Sequence, residues 1–122
     1  VKDPEKIKIK TEGGSIHLNM DTSVPCGLII NELVTNSIKH AFPNEMGEIT
    51  VKLDRDHDEF FITVTDNGVG FPEELDFRNT KTLGLQLVNS LVNQIDGSIT
   101  ISRDGGTSFS IRFKELKYPA RI

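Results

Sequence analysis

The stretch FFITVTDNGVGFPEE, Phe60 to Glu74, begins as a strand and then departs from what its turn announces. Phe60, Ile62 and Val64 alternate with Phe61, Thr63 and Thr65, the period-two pattern of a half-buried strand. Asp66-Asn67-Gly68 is a strong short-range hairpin signal. No return strand follows. Val69-Gly70-Phe71-Pro72-Glu73-Glu74 holds a second glycine, a proline and two carboxylates, and alternation does not resume until Ser98. The strand thus ends on an aspartate with two glycines behind it, and no partner strand follows it directly in sequence.

On the N-terminal side, Ile7 to Lys10 and Ser15 to Met20 alternate like strands around Gly13-Gly14, which predicts an opening hairpin. From Ser23, Pro25 at a first helical turn leads into Cys26, Ile29, Ile30, Leu33, Val34, Ile38 and Ala41 at the 3.6-residue period, until Pro43 stops the helix. Glu48 to Asp54 and Glu59 to Thr65 flank the charged turn Arg55-Asp56-His57-Asp58 as a second hairpin. On the C-terminal side, a polar segment to about Lys81 precedes a helix from about Thr82, with Leu85, Val88, Leu91, Val92 and Ile95 on one face and Gly97 as its stop. Ser98 to Arg103 and Ser108 to Lys114 form a last hairpin around Asp104 to Thr107, leaving a polar tail. Antiparallel strands interrupted by two substantial helices predict an α+β fold: a two-layer α/β sandwich, its mixed, mostly antiparallel sheet carrying both helices on one face.

The chain has 122 residues, one domain's worth, with 36% hydrophobic and 26% charged residues. That size buries a core without a disulfide or metal staple. No apolar run approaches the ~20 residues of a membrane span. The single cysteine, Cys26, lies in an apolar stretch and reads as a buried thiol in a reducing, cytoplasmic setting. A formal charge of −4 with mixed signs gives no basic stripe for nucleic acid. The start at Val1, without methionine or signal pattern, reads as a fragment of a longer protein.

The first helix has an unusual polar edge. Stepping about 100° per residue from Leu33 puts Asn36 at about −60°, Glu32 at about −100°, Lys39 at about −120° and His40 at about −20°. Asn31 lies about 140° from Asn36 and points elsewhere. This edge reads either as a solvated face with a Glu32 to Asn36 pair or as a site where an amide beside a carboxylate and a cation serves magnesium and polyphosphate. Thr82-Leu83-Gly84-Leu85 places a glycine in the first turn of the second helix, as a tolerated residue after a cap or as an anion site of unpaired N–H groups. Gly105-Gly106-Thr107, taken alone, reads as a hairpin turn.

In order, these segments resemble the ATP-binding catalytic domain of sensor histidine kinases, the Bergerat fold shared with DNA gyrase, the heat-shock chaperone ATPase and mismatch-repair proteins. The resemblance covers nearly the whole chain. Asn31 to Pro43 resembles the N box, Asp66-Asn67-Gly68-Val69-Gly70 the G1 box, Thr82 to Val88 the G2 box and Gly105-Gly106-Thr107-Ser108-Phe109 the G3 box. It implies that Asp66 accepts a hydrogen bond from the adenine amino group, that Gly68 and Gly70 leave room for the base, and that Phe71 to Lys81 form a lid over ATP. It further implies Asn36 as a ligand of Mg2+, with Glu32 in the metal's shell or in a structural role, Lys39 and His40 on the phosphates, the segment from Thr82 and Leu83 to Gly84 and Leu85 around them, and Thr107 supporting the adenine. The family's usual glycine two residues before Gly84 is Thr82 here.

As a histidine kinase the chain would need a phosphoacceptor histidine, and none of its own fits: His17 is in the opening segment, His57 in a charged turn and His40 on the site edge. The resemblance therefore implies, as partners, ATP or ADP, a histidine-bearing dimerisation domain of the same homodimeric protein, and a response regulator downstream. Two other readings remain open: a serine kinase or ATPase of the same superfamily, and a non-catalytic nucleotide-binding module.

Overall fold

The computed structural model describes residues 7–13, 16–40, 47–68, 83–103 and 105–115. The described elements are β1 (Ile7–Gly13), α1 (Met20–His40), β2 (Gly47–Asp56), β3 (Glu59–Asp66), α2 (Leu83–Gln94), β4 (Ser98–Ser102) and β5 (Thr107–Lys114). The expected lid, the Pro43 stop and the polar tail lie outside the described residues.

Period-two alternation becomes one buried sheet face. Ile49 and Val51 of β2, Phe60, Ile62 and Val64 of β3, Ile99 of β4, and Phe109, Ile111 and Phe113 of β5 are all buried. The pairing register aligns them, with Val51 opposite Val64, Ile62 opposite Ile111, Val64 opposite Phe109 and Ile99 opposite Ile111. From the helices, Cys26, Ile29 and Leu33 of α1 and Leu85, Val88, Leu91 and Val92 of α2 join the same cluster. Each such side chain contributes roughly 1.5–3 kcal/mol on leaving water. The other sheet face shows Lys52, Thr65 and Arg112 to solvent. The expected two-layer α+β arrangement is the observed one.

The sheet order is β1-β2-β3-β5-β4, with β1 parallel to β2 and the other pairs antiparallel. The opening hairpin is therefore a correction. Residues 16–19 form no strand, and β1 reaches β2 through α1, as a parallel pair requires a crossover. The alternation at Ile16 and Leu18 has another cause: both pack, partly buried, against the core. Asn19 then caps α1, its Oδ1 accepting the Thr22 N–H at 3.0 Å and the Thr22 hydroxyl at 2.8 Å. With that cap the helix begins at Met20, ahead of the expected Ser23, and Pro25 sits in its second turn.

The second hairpin is tighter than expected. Its strands extend through Asp56 and from Glu59, leaving His57-Asp58 as the turn, with His57 at φ 58°. The end of α2 needs a second correction. The residue in the left-handed region is Asp96, at φ 53°, and Gly97 follows it. The Asp96 N–H donates to the Asn93 carbonyl and the Gly97 N–H to the Val92 carbonyl, the two bonds of a Schellman cap. Gly97 serves packing instead, since a Cβ there would lie 2.9 Å from the Arg112 carbonyl oxygen.

Candidate functional site

Asp66 is the fourth alternate residue of β3 after Phe60, Ile62 and Val64, so the pleat turns its carboxylate onto the buried face. It is 2% exposed. Its Oδ1 accepts the Gly68 N–H at 2.9 Å and the Thr107 N–H at 3.3 Å, while among the described residues Oδ2 meets only the Ser37 hydroxyl, at a long 3.4 Å. Burial raises the carboxyl pKa, and the Gly68, Thr107 and Ser37 donors pull against that rise. One oxygen is thus filled from the protein and the other retains accepting capacity.

The unreturned strand finds its neighbours on both sides. β2 pairs with it along its length, and β5, from the far end of the chain, sets Thr107 opposite Asp66. Thr107 is 1% exposed. Gly106 makes this approach possible: at φ 129°, a Cβ there would lie 2.1 Å from the Asp66 carbonyl oxygen. Asn67 points away from the carboxylate and clasps β2, its N–H donating to the Glu48 carbonyl at 3.3 Å and its Oδ1 accepting the Glu48 N–H at 2.9 Å.

The polar edge of α1 meets the start of α2. Asn36 is 5% exposed, Glu32 half-buried, and Lys39 and Asn31 exposed. A Cβ on Gly84 would lie 2.9 Å from Glu32 Oε2, 3.2 Å from Asn36 Nδ2 and 3.7 Å from Asn36 Oδ1. The small residue in the first turn of α2 therefore lets Glu32 and Asn36 sit directly against that helix end. Asn36 Nδ2 is buried and has no hydrogen-bond partner among the described residues. An orphaned amide is costly unless a ligand completes it, and exchanging its nitrogen and oxygen would present an acceptor instead.

These groupings join through Ser37, the residue after Asn36, which touches Asp66. The structure thereby brings together Glu32, Asn36, Gly84, Asp66, Gly68 and Thr107. Leu85 is 1% exposed and its side chain belongs to the core, so what it can offer a ligand is its backbone. The Gly68 N–H is committed to Asp66. Gly70, Phe71 and Thr82 lie outside the described residues, as do the side chains of His40 and Leu83. Ser37 was not anticipated, although its helical phase, about 40° from Leu33 on the buried arc, marks a hydroxyl in an apolar stripe. The Asn67 clasp leaves no comparable signal in sequence.

Among the described residues no group of three His, Cys, Asp or Glu side chains could hold a metal by itself. The donors at Gly84 are one amide and one carboxylate. That set suits magnesium, which takes one or two protein ligands and completes its shell with water and substrate phosphate. Two recesses bordered by described residues lie elsewhere, one between α2 and β4 near Asn89 and Asn93 and one beside Cys26, so the site is identified by its chemistry.

A model of the family described as histidine kinase-, DNA gyrase B- and HSP90-like ATPase matches residues 21–117. Blue-light-activated histidine kinase 2 of Erythrobacter litoralis is 29% identical over 86% of this chain and 31% of its own length. Sensor histidine kinase PdtaS of Mycobacterium tuberculosis is 32% identical over 87% of this chain and 22% of its own length. The chain thus spans less than a third of either relative. Among solved structures, the histidine kinase domain from the Erythrobacter litoralis EL346 blue-light activated histidine kinase superposes with a TM-score of 0.82 at 28% identity, over 88% of this chain and 54% of that one. The Acinetobacter baumannii histidine kinase AdeS, at 19% identity and a TM-score of 0.77 over 92% of this chain and 56% of that one, shares the fold.

Proposed function

The chain belongs to the family of histidine kinase-, DNA gyrase B- and HSP90-like ATPases, and from that premise we propose that it binds Mg-ATP and donates the γ-phosphoryl group to a histidine on a separate domain. The observation that carries this reading is the Asp66 carboxylate, buried at a strand end with Oδ1 filled and Oδ2 still able to accept. An adenine amino group is a matching donor. Asn36 and Glu32 would hold a magnesium ion, which would neutralise phosphate charge. The first-turn N–H groups of α2 at Leu83, Gly84 and Leu85, unpaired by helix geometry, would meet phosphate oxygens, and Lys39 would add a positive charge. Lid residues within Phe71 to Lys81, with Gly70 and Thr82 at its ends and His40 at the end of α1, complete the proposed nucleotide contacts.

Phosphoryl transfer depends on positioning and charge stabilisation, with the attacking atom in line with the γ-phosphorus. This chain supplies the half of that arrangement that holds the triphosphate. The nucleophilic imidazole comes from a dimerisation domain of the same longer, cytoplasmic protein, and a response regulator receives the group afterwards. His57 cannot serve, since it lies in the β2–β3 turn, at the other end of β3 from Asp66. The test is incubation with γ-labelled ATP. The chain alone should bind ATP and remain unlabelled, whereas the longer protein should carry an acid-labile, base-stable label. Label on His17, His40 or His57 of the chain alone would overturn the division of labour. Label on serine would favour a serine kinase.

A further inference from the structure

Ser37 is 1% exposed and shares the buried arc of α1 with Cys26, Ile29 and Leu33. A hydroxyl placed there gives up water, which is costly unless a partner replaces it. A helical serine can satisfy itself by bonding back to the carbonyl four residues earlier. Ser37 reaches across the two layers instead, its hydroxyl donating to Asp66 Oδ2 at 3.4 Å. An ionised carboxylate only accepts, so the charge on Asp66 fixes the direction of this bond.

A carboxylate offers about four lone-pair sites. Among the described residues, three donors address those of Asp66: the Gly68 and Thr107 N–H groups on Oδ1 and the Ser37 hydroxyl on Oδ2. Ser37 is thus the one described donor on the second oxygen, and it leaves that oxygen about one site for a ligand. No charged side chain acts in its place, since burial raises the carboxyl pKa and only these three donors oppose the rise. We infer that Ser37 is a positioning residue for base recognition: its hydroxyl turns Asp66 Oδ2 so that a single acceptor site meets an exocyclic amino group. The inference rests on the nucleotide reading proposed above and deepens it. At 3.4 Å the bond is longer than the ordinary O–H···O span of about 2.7–2.8 Å, and contacts of this kind often tighten in the ligand complex.

The experiment is a double-mutant cycle on ATP affinity, read by calorimetry with Ser37→Ala, Asp66→Asn and the pair. Ser37→Ala deletes one oxygen and installs a better helix former, so the fold is retained. It should weaken ATP binding roughly three- to ten-fold, the worth of one hydrogen bond. In the Asp66→Asn background the same change should cost nothing further. Inorganic tripolyphosphate with magnesium, which lacks a base, should bind wild type and Ser37→Ala equally. Ser37→Thr, which keeps the hydroxyl, should restore ATP affinity, and Ser37→Cys, a weak donor of similar size, should not. The pH below which ATP binding fails should rise in Ser37→Ala, because a donor to the ionised carboxylate has gone. Unchanged ATP affinity in Ser37→Ala, an equal loss in the Asp66→Asn background, or a loss shared by tripolyphosphate would overturn the role of Ser37 while leaving Asp66 as the base acceptor. ATP binding absent from wild type, or undiminished in Asp66→Asn, would overturn the nucleotide reading and Ser37 with it.

Discussion

Asp66 carries two opposed demands in a single side chain. Its burial makes the charge costly, while the adenine contact we propose calls for an ionised acceptor. Because the folded pKa is raised, the folded chain binds a proton more readily than the unfolded chain. The associated stability is therefore present below the ordinary carboxylate value near 4 and is lost as pH rises through the raised folded value. At neutral pH the ionised carboxylate costs stability. Asp66→Asn keeps an acceptor for the Gly68 and Thr107 N–H groups and removes the charge. The variant should unfold at the same temperature as wild type or higher at pH 7, and its advantage should shrink as pH falls; calorimetry across pH checks both. The same variant should lose roughly ten-fold or more in ATP affinity, the cost of one charge-assisted hydrogen bond of ~1.5–3 kcal/mol. Asn36→Ala should remove the magnesium-dependent part of ATP binding, read by titration with and without the metal, whereas exposed Asn31→Ala leaves it. With its pKa near 11, Cys26 should resist iodoacetamide in the folded chain at pH 8 and react once denatured.

At the scale of elements, the α1 cap and the α2 terminus offer direct tests. Removing the cap by Asn19→Ala should cost about 1 kcal/mol of stability, measured by denaturant unfolding. Asp96→Gly should stabilise by up to about 1 kcal/mol, since it places glycine where φ is positive. Gly97→Ala should destabilise, because its Cβ would press on the Arg112 carbonyl and on Phe113. These positions also show what the sequence could and could not convey. Both helices and all five strands were legible from a period in the residue order, which in α1, α2 and β2 to β5 reflects one buried face. The same periodicity misled at Ile16 and Leu18, where core contact without strand pairing yields the same alternation. Pairing between distant strands leaves no local mark, so the parallel β1–β2 pair was not visible. Asn36 was distinguishable from Asn31 by helical phase, and the observed difference in burial agrees with that phase. The Asn67 clasp depends on where Glu48 comes to lie, which no local pattern encodes.

Across the whole molecule, the Asp66–Thr107 pairing joins residues 41 positions apart in the chain. Everything between β3 and β5, including α2, β4 and residues 69–82, lies within the loop that this contact closes. Closing a loop costs chain entropy that grows only logarithmically, by about 0.6 kcal/mol per doubling of its length. The site is therefore nearly indifferent, in equilibrium terms, to the length of the segment between Gly70 and Lys81. Rate should be more sensitive, since β3 must wait for a remote strand before its edge is satisfied, and non-local pairing slows folding. Evolution can thus lengthen or shorten that stretch without rebuilding the Asp66–Thr107 floor, with slower folding as the main constraint.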